Sequence, residues 1–318
     1  MPTVNRCNIQ GEVHLSLTTD PYENLSFENY LLRHRWRDCY HLFLWQSSPA
    51  VVIGRFQNPL LECDLHYLQQ NSTLLVRRQS GGGAVYHDEG NLNFSLIADN
   101  NIFDQKLNHQ LIIDLLKQFQ LVGEFKQHSS LLIDGKKVSG GAFKRSKDAA
   151  IYHGTLLISS NLDQLRRHLQ GSTMVSYSQS IPSRPASVIN LAQLNDQITI
   201  GRVVEGIESL FERRLLKLPN SSLKRNTISG QQILSYQGVR EYRDMIKDHQ
   251  WLYKSTPCFH YRHRDRTQEQ EYDLVVKGGE VISSQLPILD NNGLPHSIVT
   301  GWNGCLFWDE FFFQESKI

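Results

Sequence analysis

RRQSGGGAVYHDEGN, residues 77–91, sets three consecutive glycines between two short segments of strand-forming residues. Residues 73–76 predict a strand before the glycines, and residues 84–87 predict an extended segment after them. The bare backbone at 81–83 would let a ligand approach closely, and its successive N–H groups could form an anion-binding nest. The stretch therefore predicts a phosphate-binding bend or, on its composition alone, a flexible surface turn.

Arg78 immediately precedes this bend and could add a planar, two-pronged grip on a phosphate. The bend is not a Walker phosphate loop, because no Gly-Lys-Ser or Gly-Lys-Thr follows the glycines. It is not a dinucleotide fingerprint either, because the glycine spacing differs and a strand, not a helix, is expected next. If the bend binds a phosphate, it therefore does so as neither a Walker loop nor a dinucleotide fingerprint.

A second segment, DGKKVSGGAF at 134–143, begins with a hairpin turn signal. The turn at Asp134-Gly135 predicts that Lys137 lies on a strand beside small residues. A lysine that faces a cleft could stabilise a carboxylate attacking a phosphate. The alternative is a solvated lysine on an exposed hairpin, where most lysines lie.

A third segment, YHGTLL at 152–157, places His153 before an apolar strand end. It is either a polar liner of a pocket or a hydrogen-bonded buried histidine. His87 and Asp88 are adjacent, so on a strand they point to opposite faces and cannot share a metal. We expect no metal site built from protein side chains. The five cysteines are scattered without a CxxC pair, which predicts reduced thiols and no cysteine nucleophile.

The composition excludes several classes of protein. The chain has 318 residues, 40% of them hydrophobic, with 33 basic against 32 acidic side chains. This balance argues against nucleic-acid binding and against a disordered chain. No apolar run is long enough to span a bilayer. The N-terminal residues lack an apolar core after a basic start, so we expect a cytoplasmic protein, or a mitochondrial one if the source is a eukaryote.

Short strands grouped as hairpins, with amphipathic helices among them, predict a mixed α+β fold rather than strict βαβ alternation. Short strands alone follow Trp251, so we divide the chain into a domain at 1–248 and a smaller one at 249–318. The pattern predicts two strands at 42–45 and 50–53 joined by a turn, a half-buried strand at 91–97, and strands at 131–133 and 151–158. It predicts three helices that begin after the capping residues Asp20, Asp64 and Asn161. Further helices are predicted at 107–121, 203–211 and 231–246.

The three segments occur together and in this order, and the combination resembles the lipoate–protein ligase A family. The resemblance extends from about Tyr22 onward and includes similarity to mitochondrial lipoyltransferases. It is carried by Leu44-Trp45-Gln46, residues 51–55, Gln57-Asn58-Pro59, Glu62-Cys63, the glycine segment at 77–91, Lys137-Val138-Ser139-Gly140, Lys147-Asp148, residues 153–157, and Trp251 with Thr256-Pro257 and Phe259.

The resemblance implies a biotin/lipoate-ligase-like catalytic domain, with a central mixed sheet and flanking helices, and a small accessory domain. It implies that lipoate attacks the α-phosphate of ATP, supplied with Mg²⁺, and that lipoyl-AMP then acylates a lysine of an acceptor. The acceptors would be lipoyl domains of 2-oxoacid dehydrogenase E2 subunits and the glycine-cleavage H protein. Lys137 would be the catalytic residue, and the remaining binding residues would be Arg78, Ser80, Gly81, Gly82, Gly83, Ala84, Val85, Tyr86, Lys144 and His153.

The chain departs from the family pattern at Lys144, where many members carry arginine. A lysine cannot make the planar two-pronged contact of an arginine. Mitochondrial lipoyltransferases, which transfer lipoyl groups but activate free lipoate poorly, can show lysine there. The alternative function is therefore transfer of a lipoyl or octanoyl group without ATP. A non-enzymatic module that binds lipoate is a third hypothesis, disfavoured by the intact Lys137 and glycine segment.

Overall fold

The computed structural model describes residues 9–34, 38–126, 130–215, 222–265, 270–285 and 305–308. The chain forms two compact units, each assembled from separate stretches of sequence. The first unit comprises Met1–Ala50, Tyr86–Leu165 and Pro185–Asp244, and the second comprises Val51–Val85, Arg166–Arg184 and Met245–Ile318. The division of the sequence into 1–248 and 249–318 concerns sequence domains and stays a prediction.

The described residues form strands, α-helices and one π-helical segment. The strands are β1 (Gln10–Ser16), β2 (Cys39–Trp45), β3 (Ala50–Ile53), β4 (Leu74–Arg77), β5 (Val85–His87), β6 (Asn91–Asp99), β7 (Glu124–Lys126), β8 (Ser130–Ile133), β9 (Lys136–Arg145), β10 (Ala149–Leu157), β11 (Val175–Ser178), β12 (Ser222–Ile228), β13 (Phe259–Asp265), β14 (Gln270–Lys277) and β15 (Glu280–Gln285). The helices are α1 (Pro21–Arg33), α2 (Pro59–Glu62), α3 (Leu65–Gln70), α4 (Gln105–Gln118), α5 (Leu162–His168), α6 (Leu191–Leu194), α7 (Ile200–Leu215), α8 (Gly230–Ile233), α9 (Gln237–Lys247) and the π-helix Gln250–Lys254.

The first unit is built on an eight-stranded sheet with the order β12-β1-β2-β6-β10-β9-β8-β7. Strand β1 pairs in parallel with both β12 and β2, whereas the pairs from β2 to β7 are antiparallel. The sheet is therefore mixed, and helices flank it, which confirms the predicted α+β class.

Helices α4 and α7 cover one face of this sheet. Leu115 of α4 and Ile207 of α7 are fully buried, as are Leu42 of β2 and Phe94 of β6, and all four belong to one hydrophobic core. Burial of such apolar side chains contributes about 1.5–3 kcal/mol each. The core thus fixes the strands that carry the candidate residues on β9 and β10.

Strand β6 differs from its prediction as a half-buried strand, because both of its faces are buried. Its alternating polar residues do not face water. Ser95 donates a hydrogen bond to Glu28 of α1, and the Asn91 side-chain amide donates one to Asn93 at 3.2 Å. Buried polar groups are tolerated when they are paired in this way.

The strands predicted at 42–45 and 50–53 are confirmed as β2 and β3, joined by a short bend. They do not pair with each other, because β2 pairs with β1 and β6, whereas β3 lies between β4 and β5 in a three-stranded sheet. One further prediction was wrong. The single helix predicted at 231–246 is two helices, α8 and α9. Helix α8 ends at its C-cap Leu234, and Tyr236 in the connection packs on Tyr30 of α1 with ring centroids 4.8 Å apart.

Other local predictions were confirmed. Asp20 caps α1 by accepting hydrogen bonds from the Tyr22 and Glu23 amides, and Asp64 accepts one from the Tyr67 amide of α3. Asp134 and Gly135 adopt φ values of 48° and 75°, which build the tight β8–β9 turn. Among the described residues, no helix has the length and apolar character needed to cross a membrane.

Candidate active site

Two positions of the triple-glycine bend differ in their need for glycine: Gly82 requires it for its backbone conformation, whereas Gly81 has open space beside it. Gly82 has a φ of 92°, a region that side chains with a β-carbon rarely adopt. A β-carbon at Gly81 would meet nothing within 4 Å. Gly54, which precedes the bend along the chain, lies against it so closely that a β-carbon there would be 2.3 Å from the Gly82 carbonyl oxygen. The bend is therefore a defined structure and not a loose turn.

Arg78 holds the bend from inside. Its Nη2 donates to the carbonyl oxygens of Gly81 at 2.7 Å and Gly83 at 2.8 Å, and its Nε donates to Ser80 Oγ at 3.0 Å. Its Nη1 donates to the Val52 carbonyl at 3.0 Å. These bonds fix carbonyl oxygens inward around the guanidinium, so Arg78 is a positioning residue for the bend. Its direct contact with a phosphate stays a prediction.

A partly buried polar network braces the other side of the bend. Ser183 Oγ accepts hydrogen bonds from the Ala84 amide at 2.7 Å and from Gln57 Nε2 at 3.0 Å. The Ser183 amide donates to Glu62 Oε1 at 3.1 Å. Burial is the largest influence on the pKa of the Glu62 carboxyl and raises it, against hydrogen bonds from Ser183 and Gln57 that lower it. No local sequence pattern marks Ser183 as a partner of the bend.

Arg77 anchors the strand that leads into the bend. Its fully buried guanidinium donates to the Gln57 carbonyl at 2.7 Å, the Leu252 carbonyl at 2.9 Å and Thr256 Oγ1 at 2.9 Å. Burial lowers the pKa of Arg77 to about 10, which still leaves it protonated at neutral pH. The indole nitrogen of Trp251 in turn donates to the Arg77 carbonyl at 2.8 Å. Residues near Trp251 therefore help to place the glycine bend.

Lys137 lies on β9 in the first unit and is half-buried. Its backbone is held on both sides, since its amide donates to the Ser187 carbonyl at 2.8 Å and its carbonyl accepts from the Ile189 amide at 3.1 Å. Its side chain lies over Gly140, where a β-carbon would be 3.0 Å from Nζ. The Gly140 amide donates to Thr155 Oγ1 of β10 at 3.2 Å. Gly140 thus provides the space that the ammonium group occupies.

His153 is paired with a carboxylate. Its Nδ1 lies 3.0 Å from both carboxylate oxygens of Glu28, which also accepts the hydrogen bond from Ser95. The side chains of His153 and Glu28 are 12% and 10% exposed, so water screens the pair weakly. The pairing with Glu28 fixes the orientation of the ring, and the role of His153 in lining a pocket stays a prediction.

Lys144 lies opposite Ile151 in the β9–β10 ladder and is half-buried. Successive residues of a strand alternate between faces, so Lys144 shares its face of β9 with Gly140. Gly141 points to the other face, where a β-carbon would lie 2.7 Å from the buried Tyr152 ring. The glycine at 141 therefore follows from the packing of Tyr152.

The predicted site residues are divided between the two units. Tyr86 is buried on β5, in the first unit, and Val85 is half-buried on the same strand. The second unit contains Arg78, Ser80, Gly81, Gly82, Gly83, Ala84 and Val85, and the first contains Tyr86, Lys137, Lys144 and His153.

Comparison with known proteins identifies the family. Residues 20–212 match the lipoyl protein ligase A/B catalytic domain. The chain is 31% identical to lipoate–protein ligase A of Psychrobacter cryohalolentis over 77% of its length and 72% of that protein's length. It is 33% identical to the mitochondrial lipoyl amidotransferase LIPT1 of Mus musculus, over 95% of its length and 82% of the mouse protein's.

The fold agrees with these relationships. The crystal structure of P. falciparum LipL1 in complex with lipoate superposes with a TM-score of 0.68 at 27% identity, covering 86% of this chain and 83% of LipL1. A structure of lipoate–protein ligase A bound with ATP has a TM-score of 0.64 at 24% identity, covers 76% of this chain and 98% of its own, and shows the shared fold. The chain therefore belongs to the lipoyl protein ligase A/B family of lipoate–protein ligases and lipoyltransferases.

Proposed function

We propose that this protein is an ATP-dependent lipoate–protein ligase. In the first step a lipoate carboxylate oxygen attacks the α-phosphorus of ATP, the bond to the β-phosphate breaks, and lipoyl-AMP and pyrophosphate form. In the second step the amine of an acceptor lysine attacks the lipoyl carbonyl carbon. An amide forms, AMP leaves, and the amine loses a proton. No protein nucleophile is needed, because the acceptor supplies one.

The position of Lys137 carries this proposal. Its ammonium group lies over Gly140, which has no side chain, and its backbone is fixed by two hydrogen bonds. A preorganised charge of this kind stabilises the negative charge that develops on a reacting acyl phosphate. Lys137 would contact the lipoyl carbonyl and the phosphate in both steps.

The glycine bend supports nucleotide binding through its backbone. Gly82 holds the positive φ that turns the amides, and the open space beside Gly81 allows a ligand to approach. Backbone N–H groups arranged in such a bend bind phosphate oxygens. Ser80 and residues 83–86 would complete this surface. Magnesium would arrive with ATP and be held largely by phosphates and waters.

We further propose the acceptors and the compartment. The acceptors would be lipoyl domains of 2-oxoacid dehydrogenase E2 subunits and the glycine-cleavage H protein. Lipoate as the acyl substrate is supported by the family match and by the lipoate bound to LipL1. The protein would act in the cytoplasm, or in mitochondria if its source is a eukaryote.

A second candidate function is lipoyl transfer without ATP, from lipoyl-AMP or from a lipoylated carrier. Two observations favour it. The chain matches a lipoyl amidotransferase over 95% of its length, and it carries Lys144 where many ligases carry arginine. A lysine makes a point contact with a phosphate and lacks the fork of an arginine. The absence of this fork would affect the activation of lipoate by ATP more than the transfer of the lipoyl group to the acceptor.

Lipoate-dependent exchange of labelled pyrophosphate into ATP tests the first function. The folded protein is assayed with ATP, Mg²⁺ and lipoate, and in parallel with preformed lipoyl-AMP and a lipoyl domain. Exchange together with transfer confirms the ligase. Transfer from lipoyl-AMP without exchange establishes the second function, and absence of both activities in a folded protein excludes both.

A further inference from the structure

One face of the β1–β2 pair carries a cluster of metal-ligating side chains that the proposed function does not use. Glu12 and His14 lie two residues apart on β1, so their side chains share a face. His41 lies on β2 directly opposite Glu12 in the parallel ladder. One potential ligand atom from each of the three residues lies within 4.8 Å of the other two.

The separations of these atoms suit a small tetrahedral ion. His14 Nε2 and His41 Nδ1 are 3.2 Å apart, and the nearest Glu12 oxygen is 3.4 Å from the first and 3.8 Å from the second. A tetrahedral zinc ion with bonds of about 2.0–2.2 Å to nitrogen and oxygen separates its ligand atoms by roughly 3.3–3.6 Å. Shifts of a few tenths of an ångström would therefore place all three around one ion.

The surroundings hold the cluster in place. His41 is fully buried and His14 is 6% exposed, while Phe27 of α1 packs edge-on against the His14 ring. Burial disfavours a charged imidazole, and the neutral form is the one that ligates metals. Glu12, whose side chain is 17% exposed, supplies a negative charge that would offset the charge of a cation.

From this juxtaposition on β1 and β2 we propose that Glu12, His14 and His41 bind one zinc ion. Two imidazoles and a carboxylate form a donor set of the kind that zinc accepts, whereas calcium and magnesium prefer oxygen alone. A water completes the coordination, and the Cys39 sulfur lies nearby, 4.0 Å from His41 Nδ1. The site does not depend on the proposed function.

From the sequence alone we expect no metal site built from protein side chains, because the spacing of these three residues does not mark one. Glu12 and His14 show only a two-residue spacing, and His41 follows 27 residues after His14. Zinc sites that are legible in sequence have a short ligand pair at each end. Here the pairing of β1 with β2 supplies the third ligand.

Metal retention by the full-length, untagged protein tests the site. The protein is stripped with a chelator, incubated with Zn²⁺, freed of excess by gel filtration and analysed by atomic emission. We expect about one zinc per chain, because the three ligands form one site. Glu12→Gln, which keeps the shape of the side chain, should raise the dissociation constant more than roughly 10-fold, the least that outer-shell changes cost.

His66→Gln provides the matched control, since His66 is exposed on α3 and lies outside the cluster. It should retain as much zinc as the unchanged protein. Co²⁺ binding gives a readout that needs no variant, because a tetrahedral site produces intense visible absorption that Zn²⁺ abolishes. A folded wild-type protein that retains no zinc and gives no such absorption would overturn the proposal, leaving a hydrogen-bonded histidine pair. Equal zinc retention by folded Glu12→Gln would overturn it as well.

Discussion

Nη2 of Arg78 donates a hydrogen bond of 2.8 Å to the carbonyl oxygen of Gly83, across the bend that Gly81 and Gly82 form. The same nitrogen donates to the Gly81 carbonyl. The sequence predicts that Arg78, separated from the glycine run by Gln79 and Ser80, could grip a phosphate with both prongs of its guanidinium. In this protein its planar donors bind the bend itself and fix where the amides of the bend point.

Replacing Arg78 with lysine should weaken ATP binding while lipoate binding stays nearly unchanged. A lysine keeps the charge but loses the fork that binds both carbonyls. Loss of charged hydrogen bonds worth about 1.5–3 kcal/mol predicts a reduction in ATP affinity on the order of 10–100-fold. Calorimetry with each ligand separately measures the difference, and Arg167→Lys on the exposed face of α5 is the control. Equal losses for ATP and lipoate would contradict this role.

Replacement by alanine should destabilise the protein at Gly82 but not at Gly81. Gly82→Ala places a β-carbon at a φ of 92° and should cost about 1–2 kcal/mol in the free energy of unfolding. Gly81→Ala meets open space and should change stability by no more than about 0.5 kcal/mol. Urea unfolding of both variants checks this. A Gly81→Ala variant as unstable as Gly82→Ala would show that the bend has another conformation.

Glu28 should stabilise the protein through His153 and Ser95. Glu28→Ala leaves both partners buried without their acceptor and should cost about 1–3 kcal/mol. Glu28→Gln retains an acceptor oxygen and should recover most of the loss. Chemical denaturation compares the two variants. If Glu28→Ala were as stable as the unchanged protein, the pairing seen between α1 and β10 would be energetically neutral.

Glu62 should make stability depend on pH. Its pKa is raised above 4.5 mainly by burial, so just above pH 4.5 the folded protein binds more protons than the unfolded chain. Stability therefore falls as pH rises through the raised pKa. Glu62→Gln resembles the protonated carboxyl, so it should match the unchanged protein at low pH and become the more stable of the two as pH rises. A variant that loses stability relative to the unchanged protein on raising the pH would contradict this direction.

The parts of the fold that sequence reasoning predicted are those whose signals lie in neighbouring residues. The Asp20 cap of α1 and the turn at Asp134-Gly135 each depend on a few adjacent positions. This turn also fixes where β9 begins, and it thereby places Lys137 on that strand. These predictions needed no knowledge of the rest of the chain.

The remainder depends on contacts between distant segments. Glu62 and Ser183 are 121 residues apart, and nothing near Ser183 marks it as a partner of the bend. Ser95 and Asn93 alternate with apolar residues and so resemble a solvent-facing row, but tertiary partners cover them. The sequence also could not show that the donors of Arg78 turn inward.

Transfer of the lipoyl group from preformed lipoyl-AMP to a lipoyl domain tests the central claim, that Lys137 acts at the acyl phosphate. The assay compares the unchanged protein with Lys137→Ala and with Lys136→Ala, its exposed neighbour on the same hairpin. We expect Lys136→Ala to retain its rate and Lys137→Ala to lose on the order of 100-fold or more, as when a preorganised donor is removed. A folded Lys137→Ala variant that transfers lipoyl groups at the unchanged rate would contradict the account.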